Sequence, residues 1–250
     1  MFIGGLQKLT LIDYPGKLAT TVFLAGCNFR CPWCYSSELV LPEKIEKQPQ
    51  ISQKEFFDFL KERKGLLDGL VLCGGEPTLN KELPNFIKKI KKMGYFVKLD
   101  TNGSNPRMLK DLIDRKLIDY VAMDIKAPLG LKFQIPNSKF QINSKTQISK
   151  YEKAVGRKIS LKNIKKSIEI IKNSEIEYEF RTTVVPTIHT KEDILQIARE
   201  ISPAKKYFLQ NFRSEKTIDP SFEKINSYPQ EFLLEIQKAI SPFFEICLVR

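Results

Sequence analysis

Along this chain, short apolar runs alternate with longer stretches whose apolar residues recur every third or fourth position. The first pattern suits buried strands, the second helices with one buried face. Thr20 to Ala25 (TTVFLA) predicts a strand, and a helix follows over about Ser52 to Lys64. Gly69 to Cys73 (GLVLC) predicts a second strand, ended by Gly74-Gly75-Glu76-Pro77. Leu83, Phe86, Ile87 and Ile90 mark the next helix, which leads to a third strand from Tyr95 to Leu99. After Asp100-Thr101-Asn102-Gly103 come a helix near Pro106 to Lys116 and a strand from Tyr120 to Ile125. Leu161 to Lys172 is helical, with Ile164, Ile168 and Ile171 on one side. Glu177 to Val185 reads as a strand, Lys191 to Ile201 as a helix and Tyr207 to Leu209 as a sixth strand.

This alternation predicts an α/β fold with a parallel sheet and right-handed crossovers. Six units fit a partial (β/α)6 barrel better than a closed eightfold one. From Asn211 the rhythm breaks, with Asp219-Pro220, Tyr228-Pro229, a helix around Gln230 to Ile240 and a short apolar end, Phe243 to Val249. Residues 1–250 read as a single domain, with 211–250 as a tail packed on the barrel. In parallel α/β folds the working residues gather where strands end. Here the polar and glycine-rich signals fall at those ends: Gly26 to Cys34, Gly74 to Pro77, Asp100 to Gly103, Asp124 to Lys126 and Pro186 to His189.

The composition, 42% hydrophobic and 28% charged, is that of a globular protein and excludes disorder or a fibrous repeat. No apolar run is long enough for a membrane span, and the start lacks the pattern of a secretory signal, so a cytoplasmic location is expected. The formal net charge of +12 suggests nucleic acid or another acidic partner. Its distribution argues against nucleic acid. Leu131 to Lys172 carries eleven basic residues against Glu152 and Glu169, so the remaining chain is close to neutral. Within that segment Lys132 to Ser138 is followed by an imperfect copy, Lys139 to Lys145. Residues 131–150 therefore read as a basic, low-complexity surface insertion, with an arm for a partner as the other reading.

Three of the five cysteines fall in one loop after the first predicted strand, as Cys27-x-x-x-Cys31-x-x-Cys34. They are too close together for a secreted disulfide framework. Three thiolates bind three irons of a 4Fe–4S cubane and leave the fourth iron open to a ligand. Zinc is the alternative, and its fourth ligand would be the sole histidine, His189. Cys73 and Cys247 read as small buried hydrophobes.

The cysteine triplet, with Trp33 before the last cysteine, resembles the radical S-adenosylmethionine (SAM) motif CxxxCxΦC. Gly74-Gly75-Glu76-Pro77 is similar to that superfamily's second motif. The opening, from Gly5-Leu6-Gln7-Lys8 through Asp13-Tyr14-Pro15-Gly16-Lys17 to Gly26-Cys27-Asn28-Phe29-Arg30-Cys31, looks like the anaerobic ribonucleoside-triphosphate reductase activating proteins, a family of glycyl-radical-enzyme activases. The resemblance runs in blocks to about Arg213, and Tyr151 to Gly156 rejoins it after the insertion.

The resemblance implies that Cys27, Cys31 and Cys34 hold the cluster, whose open iron chelates SAM at the C-terminal ends of the strands. It implies further that Trp33 sits beside the adenine and that Gly74 and Gly75 let the backbone approach the methionine moiety. Glu76 would accept from the ammonium, and Lys126 would face the carboxylate. Asp100, Thr101 and Asp124 would form a polar set for a monovalent cation or the ribose, Asn102 and Tyr35 would join the cofactor contacts, and His189 would reach the ribose or adenine. Tyr35 stands where such activases often carry histidine. The implied reaction is reductive cleavage of SAM to a 5′-deoxyadenosyl radical, which takes a hydrogen atom from a glycine of a partner enzyme in an anaerobic setting. Flavodoxin or ferredoxin would supply the electron. A radical SAM enzyme acting on a small molecule or nucleobase is the first alternative. A non-catalytic metal-binding module is the second.

Overall fold

The computed structural model describes residues 1–130 and 149–250. Most of the predicted insertion thus lies outside the described residues. Its last two positions, however, belong to a helix: Ser149 is an N-cap whose hydroxyl accepts from the Glu152 backbone N–H, and Lys150 begins the helix and pairs with Asp193.

The elements run in the order β1 (Ile3–Thr10), β2 (Ala19–Leu24), α1 (Ser37–Val40), α2 (Pro42–Ile45), α3 (Gln53–Glu62), β3 (Gly69–Gly74), α4 (Leu83–Lys92), β4 (Phe96–Thr101), α5 (Pro106–Asp114), β5 (Tyr120–Asp124), α6 (Lys150–Val155), α7 (Leu161–Lys172), β6 (Glu177–Val184), α8 (Lys191–Ile201), β7 (Ala204–Asn211), α9 (Gln230–Ile240) and β8 (Phe244–Val249). The strands form one sheet in sequence order, β1 to β8. Pairing from β2 to β8 is parallel, and β1 is antiparallel to β2. The sheet does not close, so the partial barrel is confirmed, with β1 and β8 as its two edges. Among the described residues no helix is long and apolar enough to cross a membrane.

Among the described residues, two strands exceed the six predicted. β1 reads Ile-Gly-Gly-Leu-Gln-Lys-Leu-Thr, and its glycines and exposed polar positions hide the strand pattern. β8 is the apolar end that the sequence pattern assigned to a tail. It adds to β7 in parallel, with Cys247 and α9 turned toward the core. β4 also runs on through Asp100 and Thr101, beyond Leu99 where the pattern ended the strand.

Each face of the sheet has its own chemistry. Helices cover one face: Leu83, Phe86, Ile87 and Ile90 of α4 are buried there, and Phe86 stacks on Phe56 of α3 with centroids 5.2 Å apart. Capping boxes start α3 at Ser52 and α8 at Thr190, which places these helices where the apolar periodicity begins. The other face, the barrel lumen, carries alternate residues of the strands. Its floor is a small apolar group of Tyr14, Ala19, Val71 and Tyr120. Above it the lumen is ionic, holding Lys98, Asp100, Asp124, Glu179 and Arg181.

Candidate active site at the C-terminal rim

Because β2 to β7 are parallel and paired in register, their C-terminal ends face one way. The cysteine loop follows β2 directly. Its path is set by backbone contacts that only glycine permits. Gly75 N–H donates to Leu24 O (2.7 Å) and Glu76 N–H to Gly26 O (2.7 Å), which ties the end of β3 to the loop. A Cβ on Gly75 would stand 2.2 Å from Gly26 O, and one on Gly74, at φ +111°, would stand 2.4 Å from Leu24 O. The two glycines are thus explained by close packing of one strand end on another.

On the far side, Arg30 N–H donates to Val155 O (2.8 Å) at the end of α6, where a Cβ on Gly156 would meet Arg30 O at 2.1 Å. Backbone N–H groups of Ile218 and Asp219 donate to Cys34 O (3.0 Å) and Pro32 O (2.9 Å), so the segment after β7 straps the loop. Asn28 joins it to the end of β4 by donating to Ser104 Oγ (2.9 Å) and accepting from Asn102 Nδ2 (3.0 Å).

All three cysteines are free thiols, each close enough to another of the three to perturb its ionisation. Burial pushes the Cys27 thiol up to about 11 and Cys31 up to about 12, and raises Cys34 as well. The metal-free thiols are therefore protonated at neutral pH, and a metal entering the site would displace their protons. Phe29 N–H points at Cys27 Sγ (3.4 Å), and Asn102 Nδ2 lies 3.9 Å from the same sulfur. Donors of this kind stabilise a thiolate ligand.

Glu76 is 1% exposed, and burial raises its pKa. Its Oε1 accepts from Thr78 N–H (3.1 Å), Thr78 Oγ1 (2.5 Å) and Thr101 Oγ1 (2.7 Å), and its Oε2 from Asn102 N–H (2.6 Å). The carboxylate thus joins the end of β3 to the end of β4.

Asp100 and Asp124 are bridged by Arg181 of β6. Its Nη1 donates to Asp100 Oδ2 and its Nε to Asp124 Oδ1, both at 2.9 Å. Lys98 takes the other oxygen of Asp100 (2.7 Å), and Lys126 the other oxygen of Asp124 (2.9 Å). Burial alone would raise both aspartates, but Arg181 and the lysines outweigh it and hold them below the usual carboxylate range. The guanidinium therefore fills the space between the two carboxylates where the resemblance implied a monovalent cation.

Lys126 lies over the Trp33 ring, 5.0 Å from its centroid. Burial works against its charge, but Asp124 and Cys31 outweigh that and hold the ammonium protonated. Trp33 is buried, and its indole N–H donates to Ala154 O (3.1 Å). Thr101 and Asn102 are buried at the same rim, whereas the Tyr35 side chain is exposed. His189 is buried with both ring nitrogens on backbone partners, Val185 N–H and Lys126 O. Among the described residues, no three Cys, His, Asp or Glu side chains converge where a single metal ion would sit. With both ring nitrogens engaged, His189 is turned away from the role of fourth zinc ligand.

Arg181 escaped the sequence reading. The signal for it is present: Glu177, Glu179 and Arg181 alternate along β6 with apolar Tyr178 and Phe180, which marks one polar face.

A family model, the radical SAM superfamily, matches residues 21–201. The chain belongs to this superfamily. Membership implies SAM and a 4Fe–4S cluster; the three free thiols of this one loop, with Phe29 N–H beside Cys27 Sγ, supply the ligand types a cubane needs. A protein from Methanocaldococcus jannaschii, MJ1227, named provisionally as a glycyl-radical enzyme activating enzyme, is 32% identical over 99% of this chain and 95% of its own length. A 7-carboxy-7-deazaguanine synthase from Aquifex aeolicus is 32% identical over 36% of this chain and 38% of its own. Among solved structures, Streptococcus suis SuiB superposes with a TM-score of 0.65 at 12% identity, over 91% of this chain and 48% of that one. This chain thus spans about half of SuiB, and the likeness concerns the fold.

Proposed function

We propose that this radical SAM enzyme is a glycyl-radical-enzyme activase, acting on a glycine of a partner such as an anaerobic ribonucleoside-triphosphate reductase. The observation that carries the reading is the match to MJ1227 over nearly the whole of both chains, against about a third of this chain for the deazaguanine synthase. When bound, the cluster and SAM would supply the radical chemistry for hydrogen-atom removal from the glycine Cα. Cys27, Cys31 and Cys34 hold the cluster, and Lys126 provides a fixed positive charge for the SAM carboxylate. The face of Trp33 receives the adenine, while Glu76 orders the ends of β3 and β4 around it. Asp100 and Asp124 present no bare anionic site, so Arg181 serves in place of a monovalent cation. Flavodoxin or ferredoxin is the electron donor.

The open sheet supports this assignment. β8 is an edge strand, and Ile246 and Leu248 lie in register with Lys206 and Phe208 of β7 and are exposed. A polypeptide loop entering between the two edges would meet these apolar side chains on its way to the rim.

The test is anaerobic reconstitution with iron, sulfide, SAM, a reductant and a candidate partner. A glycyl radical in the electron paramagnetic resonance spectrum of the partner is the expected result. SAM cleavage with turnover of a small substrate and no protein radical would overturn the activase assignment, and would favour the reading suggested by the deazaguanine synthase relative.

A further inference from the structure

The loop after β6, residues 185–189, is held in an unusual conformation. Thr187 adopts φ +74°, a left-handed backbone that a β-branched residue rarely takes. His189 closes this loop on itself. Its backbone N–H donates to Val185 O (2.9 Å), and Val185 N–H donates to the ring Nδ1 (3.0 Å). With Nδ1 accepting, the proton sits on Nε2, which donates to Lys126 O (2.8 Å). The ring is 1% exposed, and burial lowers its pKa to about 4, so this tautomer persists at neutral pH. Tyr228 Oη donates to His189 O (2.8 Å) and fixes the residue from the opposite side.

Lys126 follows β5 by two residues, beyond the sheet ladder. Its N–H donates to Tyr151 Oη (3.3 Å) and its carbonyl accepts from His189, so side chains hold both ends of the residue. From that fixed backbone its ammonium reaches Asp124 Oδ2 and lies over Trp33. A strained loop secured to a buried neutral histidine is a costly arrangement for a turn alone. It has a clear result in the direction imposed on Lys126.

We propose that His189 is a positioning residue that acts through the Lys126 carbonyl to hold the ammonium over Trp33 beside the cysteine loop, and so sets the affinity for the anionic end of SAM. The inference rests on the family chemistry and on Lys126 facing the carboxylate; it is independent of what the radical acts on.

Two substitutions separate the two ring nitrogens. In His189→Asn the amide oxygen takes the place of Nδ1 and still accepts from Val185 N–H, but no donor reaches Lys126. In His189→Gln the amide nitrogen takes the place of Nε2 and restores that donor. Trp33 is the sole tryptophan, so its emission in the metal-free chain reads the position of the ammonium directly, with Lys126→Met as the reference. His189→Asn is expected to shift the Trp33 emission in the sense of Lys126→Met. After reconstitution it is expected to raise the SAM concentration for half-saturation about tenfold, with iron per chain and the SAM cleavage rate at saturation unchanged. His189→Gln is expected to restore both readouts. Equal behaviour of the Asn and Gln variants, in either readout, would overturn the proposal, as would loss of iron from both. Failure of the partner assay alone leaves these readouts intact and bears only on the activase reading.

Discussion

Replacing Arg181 with methionine tests the charge chain at the heart of the lumen. The residue makes two charge-assisted hydrogen bonds of 2.9 Å, to Asp100 and Asp124, and stands 3.9 Å from Glu179. Its side chain and those of both aspartates are largely removed from solvent. Each aspartate keeps one lysine, and Glu179 keeps Arg250 and the Tyr120 hydroxyl, so no acid is left without a partner. The loss is then two charged hydrogen bonds at roughly 1.5–3 kcal/mol each, about 3–6 kcal/mol together. Methionine nearly conserves the volume, which keeps cavity effects small. Urea unfolding of the metal-free chain at pH 7 measures the difference. The pH dependence supplies the sign. In the wild type both aspartates are held below their unfolded values, so they stabilise the fold above about pH 4 and that contribution is lost only as pH falls through their folded values. Without Arg181, burial raises both carboxyls, and the variant recovers stability relative to wild type as the pH is lowered from 7 toward 5. A loss below about 1 kcal/mol, or a difference constant over that range, would refute the reasoning.

Three further outcomes follow from individual contacts. Glu76→Gln turns an amide NH2 toward Asn102 N–H or toward the donors on the other oxygen, and is expected to cost about 2–3 kcal/mol in urea unfolding. Gly75→Ala places a methyl 2.2 Å from Gly26 O; the expected result is loss of iron binding on reconstitution, with destabilisation of more than about 3 kcal/mol. His189 is buried neutral with its pKa lowered from 6.5 to about 4, so its contribution is complete above pH 6.5 and declines as pH falls toward 4. That amounts to about 3 kcal/mol across the window, which His189→Gln should remove from the stability–pH curve.

Periodicity revealed most of the helices because each buries one face. Leu161–Lys172 and Lys191–Ile201 begin and end where the pattern places them. The sheet edges were less legible for a physical reason. β1 has a strand neighbour on one side only, with a single bridge to Ile51 on the other, and tolerates Gly4, Gly5, Gln7 and Lys8, so it lacks the apolar density of an interior strand. β8 is six residues long, and its exposed Ile246 and Leu248 obscure any alternation. At the site, the cysteines and the Gly-Gly-Glu-Pro segment were visible because their residue types and spacing are restrictive. Arg181 was not, because an interior parallel strand is expected to be apolar on both faces, whereas the lumen gives β6 a polar one. Nor does local sequence show that His189 meets Lys126, since 63 positions separate them.

The lumen's charges also have a direction. From the floor upward, Lys98, Asp100, Arg181, Asp124 and Lys126 alternate in sign, and the last cation stands under the cysteine loop. Lys126 is a charge felt by all three thiols and favours their ionised forms. Deprotonating three neighbouring, largely desolvated thiols is opposed both by burial and by their mutual repulsion. A mobile surface lysine would be screened and would leave that opposition almost intact. An ammonium anchored by Asp124, with its backbone gripped by Tyr151 and His189, faces the thiols without reorganisation. Arg181 completes the device: by taking Asp124 Oδ1 it leaves Oδ2 to Lys126, and so fixes where the positive end of the chain must lie.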